Sequence, residues 1–351
     1  MKIAKRILSF VFLVSLITLL AFLGIVTMLN PERVPLETLT IDNNQKSSLS
    51  LEDTFSVTTF NIGYAGLDKD QDFFFDGGEM GRSHSYDKTM DNLEGILNFL
   101  TETDSDFILF QELDRNSLRT YNTDQYKYFT DNLLGYTSTY AENYKAIWVP
   151  VPIFEPMGYV EAGMATFSKF QTYYAQRHNL EGQESWPMKL FEVDRCFIET
   201  IHPLPNGKDL VVVNIHLSAY DKGGELRSAQ STHLKRFIEE QFESGNYVIV
   251  GGDWNQLISS IQLEDPNFIN TWPSWLVEIQ ADFGELGFTW GVSDIMTVRD
   301  LDTPYNPGVT FETIIDGFLI SPNIEIVEVI GHDLGFHHSD HNPVTIVLKI
   351  E

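Results

Sequence analysis

The chain has 351 residues, enough for one large domain or two smaller ones, and 43% of them are hydrophobic, with 25 Phe and 14 Tyr, which excludes a disordered polymer. Lys plus Arg number 23 against 50 Asp plus Glu, and the resulting formal charge of −27 disfavours broad binding to a nucleic-acid backbone. The single cysteine, Cys196, excludes an intramolecular disulfide and a cysteine-based zinc site, and its apolar neighbours make it a buried thiol rather than a nucleophile.

Residues 7–29 carry no charge, and Ser9, Ser15, Thr18 and Thr27 are the only polar interruptions. A helix of that length spans a bilayer. Lys2, Lys5 and Arg6 precede it, so the positive-inside rule places residues 1–6 in the cytoplasm and the body of the chain outside. The run is long for a cleaved signal, and 26–30 offers no Ala-x-Ala site, so an uncleaved signal anchor is expected; cleavage would instead release a secreted protein. Residues 30–52 are polar, with Pro31 and Pro35, and read as a tether. The folded domain is expected over 53–351.

Alternation predicts a strand over 55–60, ending in Asn61 before Gly63. A loop follows over 68–85. Apolar residues at 86, 90, 93, 96, 97 and 100 have helical spacing. Residues 107–110 form a buried strand that ends in Gln111 and Glu112; a carboxylate there is either solvated or holds a cation. Aromatic and proline content reads as an irregular loop over 140–156, containing Trp148 and Phe154. A strand over 162–167, a polar insertion over 168–186 and a strand over 197–201 come next. A turn signal over 204–208 leads into an apolar strand broken at Asn214 and His216, two residues apart and therefore on one face. A helix over 224–242 precedes Tyr247-Val-Ile-Val-Gly-Gly-Asp-Trp-Asn255, read as a buried strand over 247–251, a Gly-Gly turn, and Asp253 presented with Asn255. A Trp-rich loop with Trp272, Trp275 and Trp290 follows. Asp316 interrupts an apolar strand over 314–320, and Asp340 and His341 precede a last strand over 344–350.

Asn61, Glu112, Asn214, His216, Asp253, Asn255, Asp316, Asp340 and His341 each lie at or beside an apolar strand. Together they offer hard oxygen ligands for one or two Mg²⁺-type ions and two imidazoles, a set suited to metal-assisted attack of water on a phosphoester.

Six short blocks carry a resemblance: Thr-Phe-Asn-Ile-Gly at 59–63, Phe-Gln-Glu-Leu at 110–113, Val-Asn-Ile-His-Leu at 213–217, Gly-Gly-Asp-Trp-Asn at 251–255, Ile-Asp-Gly-Phe-Leu-Ile-Ser at 315–321 and Ser-Asp-His-Asn-Pro at 339–343. In this order the sequence resembles the endonuclease/exonuclease/phosphatase superfamily, and in particular its sphingomyelinase, inositol polyphosphate phosphatase and deoxyribonuclease-like branches. The resemblance implies an α/β fold, a four-layer α/β sandwich of two stacked mixed sheets flanked by helices, here preceded by a transmembrane helix. It implies Glu112, with Asn61 and Asp340, as metal-side residues for Mg²⁺, with Mn²⁺ or another divalent cation as alternatives. It implies Asp253 as the residue that orients or deprotonates water, Asn255 as its neighbour, His341 as the phosphate contact oriented by Asp316, and His216 at the leaving group or phosphate. Asn214 is assigned to substrate binding. The arginine that some members carry just before the strand of Asp316 is replaced by Thr313-Ile-Ile.

The expected protein is a membrane-anchored phosphodiesterase or phosphatase facing outside the cytoplasm. Its substrate is expected to be a phosphorylated lipid headgroup or small molecule, with membrane contact through the N-terminal helix and aid from the aromatic loops. A cell-surface nuclease and a non-catalytic binding domain are the alternatives; the first is disfavoured by charge. Arg82, Lys88 and Arg299 read as solvated charges or phosphate contacts.

Overall fold

The computed structural model describes residues 2–30, 34–183, 185–219, 221, 224–258, 273, 275–279 and 283–351. Helix α1 (Lys2–Leu29) is long and apolar enough to cross a membrane, and nearly all of it is exposed. Trp272, Glu32 and Arg33 lie outside the described residues.

Two seven-stranded mixed sheets form the body. In spatial order the first holds β1 (Leu36–Thr38), β7 (Tyr174–Asn179), β8 (Cys196–Pro203), β9 (Asp209–His216), β10 (Tyr247–Asp253), β14 (Asp316–Ile320) and β11 (Thr289–Gly291). The second holds β15 (Ile324–Gly331), β16 (Val344–Ile350), β3 (Thr54–Asn61), β4 (Phe107–Asp114), β6 (Gly158–Ser168), β5 (Thr137–Val149) and β2 (Ile41–Asp42). A small pair, β12 (Val298–Arg299) with β13 (Glu312–Thr313), sits apart.

The sheets face each other across Val57, Leu109 and Ile346 on one side and Val212, Ile249 and Phe318 on the other. On the outer faces α2 (Tyr86–Thr103) and α3 (Gln125–Asn132) cover the second sheet through Leu93, Ile96 and Phe129, while α4 (Glu225–Glu243) covers the first through Leu234 and Ile238. The result is the expected four-layer α/β sandwich. β3 and β4 run parallel, as do β9 and β10, so the C-terminal ends of the central strands share one end of the sandwich, where α/β folds collect chemistry.

Several local expectations differ. The supposed tether is woven into the body: β1 pairs with β7, β2 pairs with β5, and Leu49 is buried in the inter-sheet core. Short polar strands leave little periodicity to read, yet each forms one edge of its sheet. The stretch read as a loop over 140–156 is strand as far as Val149, because its prolines begin only at Pro150. The polar insertion over 168–186 contains β7. Gly251 and Gly252 do not turn the chain; both lie within β10. A Cβ on Gly251 would sit 2.6 Å from the Phe318 ring and 2.7 Å from Leu109 Cδ1, so this glycine lets the sheets approach. Gly252, at φ 150°, faces the Ile215 carbonyl, which a Cβ would meet at 2.1 Å.

Candidate active site

Inward-facing positions of the central strands carry apolar core until the sheets part, and there the pattern turns polar. On β9 the inward series Leu210, Val212, Asn214 ends in His216; on β10 Ile249 and Gly251 lead to Asp253; on β14 Ile320 and Phe318 lead back to Asp316. Strand register then fixes the row: Asp253 pairs with His216 on one side and with Asp316 on the other. Across the gap, Val57 and Thr59 lead to Asn61 on β3.

Glu112 arrives differently. Alternation along β4 sends Phe110 toward the helices and Gln111 between the sheets. Glu112 would follow Phe110 outward, but a bulge between Phe110 and Leu113 gives it φ 57° and re-aims its side chain. It lines the cleft with Asp253, His216, Asp340 and His341, and its side chain is 29% exposed, the most open of the group.

The contacts are short. Asn61 Nδ2 donates to Asp253 Oδ2 at 3.0 Å and to Glu112 Oε1 at 3.3 Å, while its Oδ1 accepts from Gly63 N at 3.0 Å. Asp253 Oδ1 also accepts from Asn255 N at 2.8 Å, in a loop where Asn255 takes φ 49°. His341 Nδ1 lies 2.8 Å from Asp316 Oδ2, and its Nε2 is 3.9 Å from Asp253 Oδ2. His216 Nε2 is 3.4 Å from Asp253 Oδ2 and 3.8 Å from Glu112 Oε1.

The electrostatics separate two imidazoles and one carboxylate. Burial opposes charge on His341, but Asp316 and Asp340 outweigh it and push the ring up to about 10, so it is a cation at neutral pH. Burial, with the charges of Arg195 and His341, drives His216 well below the ordinary imidazole range, so it is neutral. Burial, helped by Asp316, raises Asp253 to about 7, the range suited to a general base. Burial and then the Asp340 charge push Glu112 upward.

That last situation is what a hard cation relieves. Glu112 and Asp340 supply two carboxylates, hard donors for a Mg²⁺-type ion; Asn61 stands beside them with its Nδ2 on Glu112 and its Oδ1 turned to Gly63 N. Ligand atoms of Asp253, Asp316 and His341 also converge within 4.8 Å. There, however, the His341 ring is cationic with its Nδ1 proton on Asp316, and a protonated imidazole is a poor ligand. The carboxylate group around Glu112 is therefore the better fit.

The structure brings Asn61, Glu112, His216, Asp253, Asn255, Asp316, Asp340 and His341 together. It does not bring Asn214 into the cleft. Asn214 is fully buried between the sheets, donating to Phe110 O at 3.1 Å and Ala165 O at 2.9 Å and accepting from Gln111 Nε2 at 2.7 Å. Its i+2 spacing to His216 put it on the right face but one step too deep. Arg299 is buried rather than solvated; it lines the cleft and donates to Asp68 O at 2.8 Å and Gln71 O at 2.9 Å. Arg82 Nε binds Pro156 O and Lys88 Nζ lies 3.8 Å from Asp68 Oδ2, neither at the cleft.

Three arginines escaped the sequence reading. Arg227 on α4 donates to Asn255 O at 2.7 Å and so holds the loop that follows Asp253. Arg119 makes a buried pair with Asp114 at 2.8 Å and lies 3.7 Å over the Tyr64 ring, on the wall of the cleft. Arg195 also lines it. Nothing local marks any of the three, because their partners are set by the fold.

Solved structures share this architecture. An endonuclease/exonuclease/phosphatase from Beutenbergia cavernae superposes with TM-score 0.56 at 16% identity, covering 85% of this chain and 72% of that one. The human Nocturnin catalytic domain with bound sulfate gives 0.53 at 16%, covering 89% and 98%. D. rerio TDP2 complexed with a single-strand DNA product gives 0.52 at 14%, covering 85% and 100%. No curated protein sequence matches the chain. The model of the endonuclease/exonuclease/phosphatase family matches residues 58–341, which include every residue placed in the cleft, and the chain belongs to that family.

Proposed function

We propose that the protein is a Mg²⁺-dependent phosphoester hydrolase, held in a membrane by α1 with its cleft outside the cytoplasm, acting on a phosphorylated lipid headgroup or small molecule. The observation that carries the reading is the row His216, Asp253, Asp316 on adjacent strands, with His341 cationic on Asp316 and Glu112 opposite.

Asp253 takes the proton of an attacking water at Oδ2, where Asn61 and Asn255 hold the carboxylate still. His341 offers Nε2–H to the phosphoryl oxygens, where negative charge grows, and Asp316 fixes the ring. Neutral His216 stands on the other side of Asp253, placed to contact phosphate or the leaving oxygen. Glu112 and Asp340 would hold a divalent ion, which would supply Lewis-acid polarisation of a phosphoryl oxygen, while Asn61 orients the Glu112 carboxylate. Arg119, Arg195 and Arg299 add buried positive potential to a wall that also carries several carboxylates.

The anchor rests on α1 and on the basic residues Lys2, Lys5 and Arg6 that precede its apolar run. A nuclease is the second reading, since TDP2 of the same fold holds a DNA product; a net charge of −27 weighs against it. The test is hydrolysis by the full chain in phosphatidylcholine nanodiscs, with Mg²⁺ or EDTA, of sphingomyelin, phosphoinositides, bis-p-nitrophenyl phosphate and plasmid DNA. Mg²⁺-dependent turnover of the lipid or small phosphoesters supports the proposal; preferred cleavage of DNA favours the nuclease.

A further inference from the structure

We propose that the mouth of the cleft rests on the outer leaflet of the bilayer that holds α1, so that substrate enters from the membrane rather than from water; this rests on the hydrolase reading above. Phe191, which lines the cleft, stacks on Phe22 of α1 with ring centroids 6.2 Å apart. Trp186, in the same loop, donates from Nε1 to Thr27 Oγ1 at 3.1 Å. One wall of the cleft is thus seated on the last turns of the membrane helix.

Depth follows from helix geometry. The uncharged run 7–29 has 23 residues, or about 35 Å at 1.5 Å each, against about 30 Å of hydrocarbon and about 40–45 Å with headgroups. Phe22 lies seven residues before Leu29, about 10 Å below the helix end. A loop that touches Thr27 sits at the headgroup boundary, and its contact with Phe22 carries its aromatic side chains several Å into the outer hydrocarbon, the depth to which interfacial Trp and Phe side chains reach.

The rest of the rim has matching chemistry. Phe154 is 101% exposed, Ile153 81%, Trp186 53%, Met188 50% and Phe75 46%. These belong to three loops that share one apolar cluster beneath: Phe73 from the first, Val151 and Met157 from the second, Val193 from the third. Phe75, Met157 and Phe191 also line the cleft, so the exposed side chains continue its wall outward. Solvent-exposed apolar side chains in such number around one opening mark an interaction site. Nearby charges are mostly acidic, Asp76, Glu79, Glu155 and Glu192, against Lys189 and Arg82, so the surface suits a zwitterionic leaflet rather than an anionic one.

The test uses the full chain in phosphatidylcholine vesicles. A nitroxide on Phe154→Cys should be more accessible to oxygen than to a nickel chelate. One on Pro205→Cys, in the exposed turn at the far end of β9, should show the reverse; Cys196 is buried and stays unlabelled. In parallel, the double variant Ile153→Asp/Phe154→Asp is assayed on bis-p-nitrophenyl phosphate in solution and on hexadecyl p-nitrophenyl phosphate held in the vesicles. The variant should lose about tenfold or more on the vesicle substrate and keep wild-type rate on the soluble one. A water-exposed label at 154, or equal rates of variant and wild type on the vesicle substrate, overturns the proposal. If wild type hydrolyses neither compound while the label at 154 is membrane-embedded, the docking surface stands and the hydrolase reading fails.

Discussion

Replacing Asn214 by Ala separates a structural role from a substrate contact. The side chain makes three hydrogen bonds of 2.7, 2.9 and 3.1 Å across the gap between the sheets, besides a long one of 3.5 Å to Thr166 Oγ1, and none of its surface reaches the cleft. Each such bond contributes about 1 kcal/mol net, so losing all three costs about 3 kcal/mol, and the small cavity left behind adds a fraction more. For a body of roughly 300 residues the unfolding entropy is about 0.6 kcal/mol per degree, so Tm should fall by about 5 °C. Thermal unfolding followed by circular dichroism gives that number, and steady-state kinetics on bis-p-nitrophenyl phosphate gives KM. The expected result is a lower Tm with KM unchanged. An unchanged Tm with KM raised several-fold would show that Asn214 touches substrate and that its inter-sheet bonds contribute little.

His202 sets an acid limit on stability. It is buried in β8, 5.0 Å from the Phe107 ring, bonded at Nδ1 to Gln171 O and at Nε2 to Thr200 Oγ1, and burial pushes it down to about 4. Between pH 6.5 and 4 the unfolded chain therefore takes a proton that the folded one refuses, and stability falls by about 3 kcal/mol as pH drops through that window. His202→Gln should flatten this part of the curve in urea titrations; parallel curves for variant and wild type would contradict the assignment. Gly251→Val drives a side chain into Phe318 and Leu109 and should cost about 3 kcal/mol or more, read as a lower urea midpoint. An unchanged midpoint would mean that the sheets are not in contact there. Glu112→Gln should weaken Mg²⁺ binding in calorimetry by about tenfold or more. An unchanged Kd would move the ion to Asp253, Asp316 and His341.

The candidate site was legible because chemistry breaks pattern. His216 and Asp316 interrupt apolar strands, where a buried polar group needs a reason, and the parallel strand pairs bring their ends together. The same logic misread Asn214, since a polar residue on the inward face can bridge two sheets as well as meet a substrate. Pattern could not show how Glu112 reaches the cleft, because the bulge that turns it depends on pairing with β6. The edge strands β1 and β2, and β7 beside β1, were invisible for a related reason: short polar strands carry neither an apolar face nor a sustained period. Arg227 and Arg299 find their partners in backbone carbonyls far along the chain, so no spacing announces them.

The most direct test of the account is the rate of Mg²⁺-dependent hydrolysis by Asp253→Asn. The substitution keeps the shape of a side chain bonded to Asn61 and Asn255 but removes its capacity to accept a proton. General-base catalysis of this kind is worth about 10²–10⁴-fold, so kcat should fall within that range while the circular dichroism spectrum and Mg²⁺ affinity stay at wild-type values. Wild-type kcat in this variant would contradict the assignment of Asp253 as the base.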